Sequence, residues 1–114
     1  MANNAQKQNL VNAVSLIRAA EQMFVEASRA STDANRSIQI NTEYQHLDSL
    51  LSQLIQAQAI ADDADFQSAT AALKQQATAL QAEQAQIQAI VNDVAIAAKI
   101  AGFLAQAASF LATL

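Results

Sequence analysis

INTEYQHLDSLLSQLIQAQAIA, residues 40–61, has apolar residues that recur with the period of a helix. Positions seven residues apart carry Ile40, Leu47, Leu54 and Ala61. Further apolar side chains fall on the same face at Tyr44, Leu50, Leu51 and Ala57. This spacing predicts an amphipathic helix, which we place at residues 35–61.

The composition of the whole chain favours helices. Its 114 residues include no proline and one glycine, Gly102, and alanine, glutamine and leucine dominate. These residues are good helix formers, while proline and glycine are the usual interruptions. We therefore predict an all-α fold in a single helical domain, residues 1–114, arranged as an antiparallel bundle.

The first predicted helix covers residues 4–30 and begins near Asn3 or Asn4, either of which is a suitable cap. Its apolar face contains Leu10, Val14, Ile17, Phe24 and Val25. Residues 31–35 read STDAN, a run of cap-forming and turn-forming types, and we place the first connection there.

A third helix is predicted at residues 65–113. Asp62, Asp63 and Asp65 suit its start, because carboxylates are favourable at a helix N-terminus. Large residues again recur every seven positions, at Phe66, Leu73, Leu80, Ile87 and Val94. No later residue requires the helix to stop. A break at Asn92–Asp93 would instead produce a four-helix bundle, and the sequence leaves both arrangements open.

The heptad positions of the second and third helices form one predicted packing or self-association seam. We call its members the seam residues: Ile40, Leu47, Leu54, Phe66, Leu73, Leu80 and Ile87. Apolar residues at this spacing are typical of coiled-coil-like contacts. The flanking alanines would let helices approach closely.

The segment Val94–Leu114 is apolar around most of its circumference. It supplies a candidate membrane or partner face: Ile96, Ile100, Phe103, Leu104, Phe110 and Leu111. A thin polar stripe accompanies this face: Asn92, Lys99, Gln106 and Thr113. Such a helix is buried in protein or in lipid.

Three settings for this segment remain open: a central helix wrapped by the first two, a surface for self-association, and membrane insertion. About 20 apolar residues suffice to cross a bilayer. Lys99 opposes the last setting, because a lysine at the centre of a spanning helix costs roughly 3 kcal/mol.

Two acidic residues lie close to apolar helix faces, Glu43 and Glu21. Glu43 and His46 form Glu-x-x-His, half of the motif found in di-iron bundles, but the chain has one histidine. We expect Glu43 to be solvated and His46 to point outward, with no metal site. Glu21 lies near the apolar face of the first helix, and we expect it to reach water at the edge of that face.

The chemistry of the chain argues against an enzyme. There is no cysteine and no glycine-rich phosphate loop. We therefore expect no catalytic residues and no cofactor. The net charge is −4 and the six basic residues are scattered, which argues against nucleic acid as a partner.

The expected function is that of a non-enzymatic interaction or assembly protein, with a membrane-active protein that uses residues 90–114 as the alternative. Expected partners are a second copy of the chain or another helical protein. The polar N-terminal residues lack the apolar stretch of a signal peptide. We therefore expect synthesis into the cytosol, while export without a leader would leave no trace in the sequence.

Overall fold

A computed structural model describes residues 4–91 and 93–114, and within them the chain forms four α-helices. The helices are α1 (Asn4–Ala30), α2 (Ala34–Gln58), α3 (Asp63–Ile90) and α4 (Val94–Ala112). They pack into a rod of 50 × 18 × 18 Å. The prediction of an all-α bundle is confirmed.

Consecutive helices run antiparallel, and two cations join their ends. The Lys7 ammonium near the start of α1 donates to the Ile60 carbonyl after α2, at 3.0 Å. The Arg36 guanidinium at the start of α2 donates to the Ile90 carbonyl at the end of α3, at 3.3 Å. A cation beside the last carbonyls of a helix satisfies free acceptors and complements the helix dipole.

An aspartate caps the start of each of the last three helices. Asp33 accepts from the backbone N–H groups of Asn35 and Arg36, and Asp62 accepts from that of Asp65. Asp93 accepts from the N–H groups of two residues in the first turn of α4. The aspartates after α2 were predicted to cap the third helix, and the structure confirms this for Asp62.

The prediction of one continuous third helix over residues 65–113 is wrong. Backbone angles are extended at Val91 and at Asp93, so the chain leaves α3 and re-enters a helix at Val94. Asp93 explains the new start, because its carboxylate binds backbone N–H groups that a continuous helix would use internally. Asn92, where the break was anticipated, lies outside the described residues.

Each helix occupies one corner of the bundle. α1 packs against α2 and α4, while α3 packs against α4 and, less extensively, α2. Between diagonally opposite helices no Cα atoms of the described residues come within 8 Å of each other. Side chains of α1 and α3 do meet near one end of the bundle, where the Gln67 amide donates to Gln6 Oε1 at 3.0 Å. One of the three settings considered for the C-terminal segment was a central helix wrapped by the first two helices. This setting is wrong, because α4 is a corner helix with an outward face.

Candidate functional site

All seven seam residues are buried inside this single chain. Each is at most 4% exposed: Ile40, Leu47, Leu54, Phe66, Leu73, Leu80 and Ile87. They belong to the continuous core that the four helices share. Because these side chains already pack against the chain's own helices, self-association through them would require the bundle to open.

The predicted face of the C-terminal segment points mainly into the bundle. Ile100, Leu104 and Leu111 are fully buried in the core. The other three members are half-buried and pack against the core: Ile96, Phe103 and Phe110. Lys99, Gln106 and Thr113 are exposed, as the polar stripe predicted. Asn92, the first member of that stripe, is outside the described residues.

The outward face of α4 carries residues with small side chains. Exposed positions follow one another at alternating steps of three and four: Ala95, Ala98, Gly102, Ala105, Ser109 and Ala112. We call them the small-residue row. These steps keep side chains on one side of a helix. Val94, at the start of α4, is a larger apolar residue and is 81% exposed.

None of the described residues requires glycine at position 102. A Cβ atom at this position would meet no other atom within 4 Å. Glycine in a helix is less favourable than alanine by roughly 0.5–1 kcal/mol. The regular spacing of these small residues is visible in the sequence. The large apolar residues of the same segment gave the stronger pattern, so the row was not predicted.

A second candidate site lies between α2 and α3, where two carboxyl groups face each other. The side chains of Glu43 and Glu83 are only 12% and 16% exposed, and His46 beside them is 64% exposed. The His46 Nδ1 atom lies 3.7 Å from Glu43 Oε2 and 3.6 Å from Glu83 Oε1. His46 points outward as expected, but Glu43 is largely buried rather than solvated.

The two carboxyl groups are close enough to share a hydrogen bond, which requires a proton on one of them. Burial, with the hydrogen bond and the charge of Glu43, raises the pKa of Glu83 to about 8. The remaining oxygens, Glu43 Oε2 and Glu83 Oε2, are shielded from water and have no hydrogen-bond partner.

Glu83 was not predicted as a site residue, although its position in the heptad is unusual for a glutamate. It follows Leu80 by three residues, and Glu43 follows Ile40 by three. Both glutamates therefore occupy the second apolar position of a heptad, where a coiled coil expects a large apolar residue. A charged residue at matching positions of two antiparallel helices indicates a polar layer inside the bundle.

Glu21 belongs to a separate acidic pair between α1 and α2. It is 7% exposed, so the expectation that it reaches water is wrong. Burial is the main cause that raises the pKa of Glu21 to about 7, and the hydrogen bond and charge of Asp48 add to it. The positive charge of Arg18 lowers the pKa of Glu21 and so opposes these effects. The charge of Glu21 is also the main cause of a raised pKa at Tyr44.

α4 is the one helix within residues 4–91 and 93–114 that is long and apolar enough to cross a membrane, by length and composition alone. Of that segment, 33% is buried in the bundle. α4 is buried to about the same extent as the other three helices, and the small-residue row lies on its exposed side.

Comparisons with known proteins supply no relative from which to transfer a function. No protein-family model matches the sequence, and no curated protein or solved structure is significantly similar to it.

Proposed function

We propose that this protein is a non-enzymatic interaction protein that self-associates through the small-residue row of α4. The supporting observation is Gly102, an exposed helical glycine that the bundle itself does not need. Small side chains let two helix axes approach to about 8 Å, the lower end of the usual range. Close contact with a partner helix would explain why position 102 carries glycine.

A second copy of the chain is the partner that the row fits best. The most common oligomer is a two-fold dimer, in which the same surface is used by both copies. An antiparallel pairing centred on the row places Ala95 level with Ala112 of the second copy, and Ala98 level with its Ser109. Antiparallel helices bring the same flanking position of both copies together, so Lys99 lies near Gln106 of the second copy.

The test compares matched substitutions by sedimentation equilibrium. Ala105→Leu adds bulk to the middle of the row, and Ala72→Leu makes the same change at an exposed alanine of α3. We expect the wild type and Ala72→Leu to be dimers, and Ala105→Leu to be a monomer with unchanged helix content. A wild type that stays monomeric at high concentration would contradict the proposal.

The alternative function, membrane insertion by α4, is supported by the length and apolar composition of that helix. Insertion would require the bundle to open, since Ile100, Leu104 and Leu111 are buried in the core. Flotation with vesicles separates the two functions. Ala105→Leu makes α4 more apolar and would preserve lipid binding, whereas Ala105→Asp adds roughly 3 kcal/mol to insertion. Flotation that is retained in the former and lost in the latter would favour the membrane.

A further inference from the structure

The polar layer between α2 and α3 combines three side chains of the types that bind metal ions. Glu43 and His46 come from α2 and Glu83 comes from α3. Each offers one ligand atom, and the three atoms all lie within 4.8 Å of one another. No other part of the proposed function uses them, so this site is independent of the row on α4.

The distances within this group match those of a metal centre. Zinc bonds to imidazole nitrogen and carboxylate oxygen are about 2.0–2.2 Å long, so two ligand atoms of a tetrahedral ion lie roughly 3.4 Å apart. His46 Nδ1 is 3.6 Å from Glu83 Oε1 and 3.7 Å from Glu43 Oε2. All three ligand atoms lie within 4.8 Å of one another, so one ion would bind all of them once their side chains rotate toward it.

The buried carboxyl oxygens are the independent observation that indicates a ligand. Glu43 Oε2 and Glu83 Oε2 are shielded from water, yet neither has a hydrogen-bond partner. Buried acceptors are nearly always satisfied, because an unsatisfied one costs about 1–3 kcal/mol and more if it is charged. A divalent cation bound in place of the proton that the two carboxyl groups share would bind Glu43 Oε2 directly and would neutralise the charges of both carboxylates.

We propose that Glu43, His46 and Glu83 bind one divalent transition-metal ion that bridges α2 and α3. One imidazole nitrogen with two carboxylate oxygens suits ions such as Zn²⁺, whereas Mg²⁺ and Ca²⁺ prefer oxygen ligands alone. The remaining coordination position faces the solvent beside His46. A groove of about 230 Å³ adjoins His46 and Glu83 and provides room for water.

The ion would act on the least extensive helix interface of the bundle. α2 and α3 contact each other less than the other neighbouring pairs do. A metal ion that binds the folded chain but not the unfolded one stabilises the fold in proportion to its occupancy. Zinc is therefore expected to stabilise the protein against heat and to bind at one ion per chain.

The first experiment is isothermal titration of the metal-stripped full chain with Zn²⁺, together with thermal unfolding followed by circular dichroism. His46→Gln and Glu83→Gln each remove one ligand, and Glu26→Gln removes an exposed carboxylate on α1 as the matched control. Loss of a residue that merely supports a ligand weakens binding about 10- to 100-fold. Loss of a ligand itself should therefore weaken zinc binding at least tenfold, while Glu26→Gln keeps wild-type affinity.

A second readout excludes the trivial explanation that the variants fail to fold. Glu83→Gln removes one of two facing acidic groups, so its metal-free form should melt at a higher temperature than the metal-free wild type at pH 8. At the same zinc concentration, zinc should raise the melting temperature of the wild type more than that of Glu83→Gln. The proposal is overturned if zinc leaves the wild type unchanged, if both ligand variants bind zinc as well as the wild type does, or if one ion binds per two chains.

Discussion

Replacing Glu21 by Gln should make the protein more stable at neutral and alkaline pH. Glu21 is 7% exposed, and its Oε2 atom has no hydrogen-bond partner. The groups that act on it are Asp48 and Tyr44 on α2 and Arg18 on its own helix. Glutamine has nearly the same shape, carries no charge and donates to the Asp48 carboxylate at any pH.

The size of the effect follows from the pKa of Glu21, which rises from 4.5 to about 7 on folding. Between these values the folded chain keeps a proton that the unfolded chain releases, so the free energy of unfolding falls as the pH rises. One pKa unit corresponds to about 1.36 kcal/mol, so the loss is at most about 3 kcal/mol and is complete above pH 7. A small domain has only about 5–15 kcal/mol of stability in total.

Urea unfolding followed by circular dichroism at pH 4.5, 6 and 8 measures this loss. We expect Glu21→Gln to match the wild type at pH 4.5 and to exceed it by up to about 3 kcal/mol at pH 8. Glu26→Gln on the exposed side of α1 is the control and should follow the wild type at every pH. Other groups affect both chains equally, so the difference isolates Glu21. A difference that is the same at pH 4.5 and pH 8 would refute the reasoning.

Three further substitutions test the fold, each by urea unfolding. Asp93→Ala removes the cap of α4 and should lower the free energy of unfolding by about 1 kcal/mol, and no loss would mean that the cap does not hold the helix start. Phe66→Ala removes a fully buried ring that lies beneath the Lys7 ammonium and should lower the free energy of unfolding by roughly 3–5 kcal/mol. A decrease below about 1 kcal/mol would contradict the burial of this ring in the core. Gly102→Ala should raise stability by up to about 1 kcal/mol, because the new Cβ meets nothing, and a fall would show a hidden contact.

Helical periodicity was sufficient to predict the class of fold and most of the core. Large residues that recur every seven positions among alanines predict a helix face that is buried. Leu54 and Phe66, which belong to this pattern, are fully buried. The end of α3 was harder to predict, because no proline or glycine lies between Ile87 and Val94. The break there depends on the local hydrogen bonds of Asp93, whose gain over a continuous helix is only about 1 kcal/mol.

The acidic groups could not be placed from the sequence, because burial of a side chain depends on its neighbours in space. Glu21 and Glu43 each lie beside an apolar face, where a small rotation of the helix decides between water and the interior. The partner of Glu43 is Glu83, 40 residues later in the chain. Only the antiparallel register of α2 and α3 brings these two carboxyl groups to the same level of the bundle.

The two proposed sites lie on separate surfaces, so their tests are independent of each other. Glu43 and His46 belong to α2, the helix diagonally opposite α4, and no Cα atoms of the described residues in these two helices come within 8 Å of each other. Ala105→Leu should therefore leave zinc affinity unchanged, and Glu83→Gln should leave the dimer intact. Coupling between them would pass through α1 or α3, each of which contacts both helices. If zinc altered the dimerisation constant, reciprocity requires that dimerisation alter zinc affinity by the same factor. α3 would be the first element to examine, because it carries Glu83 and packs against α4.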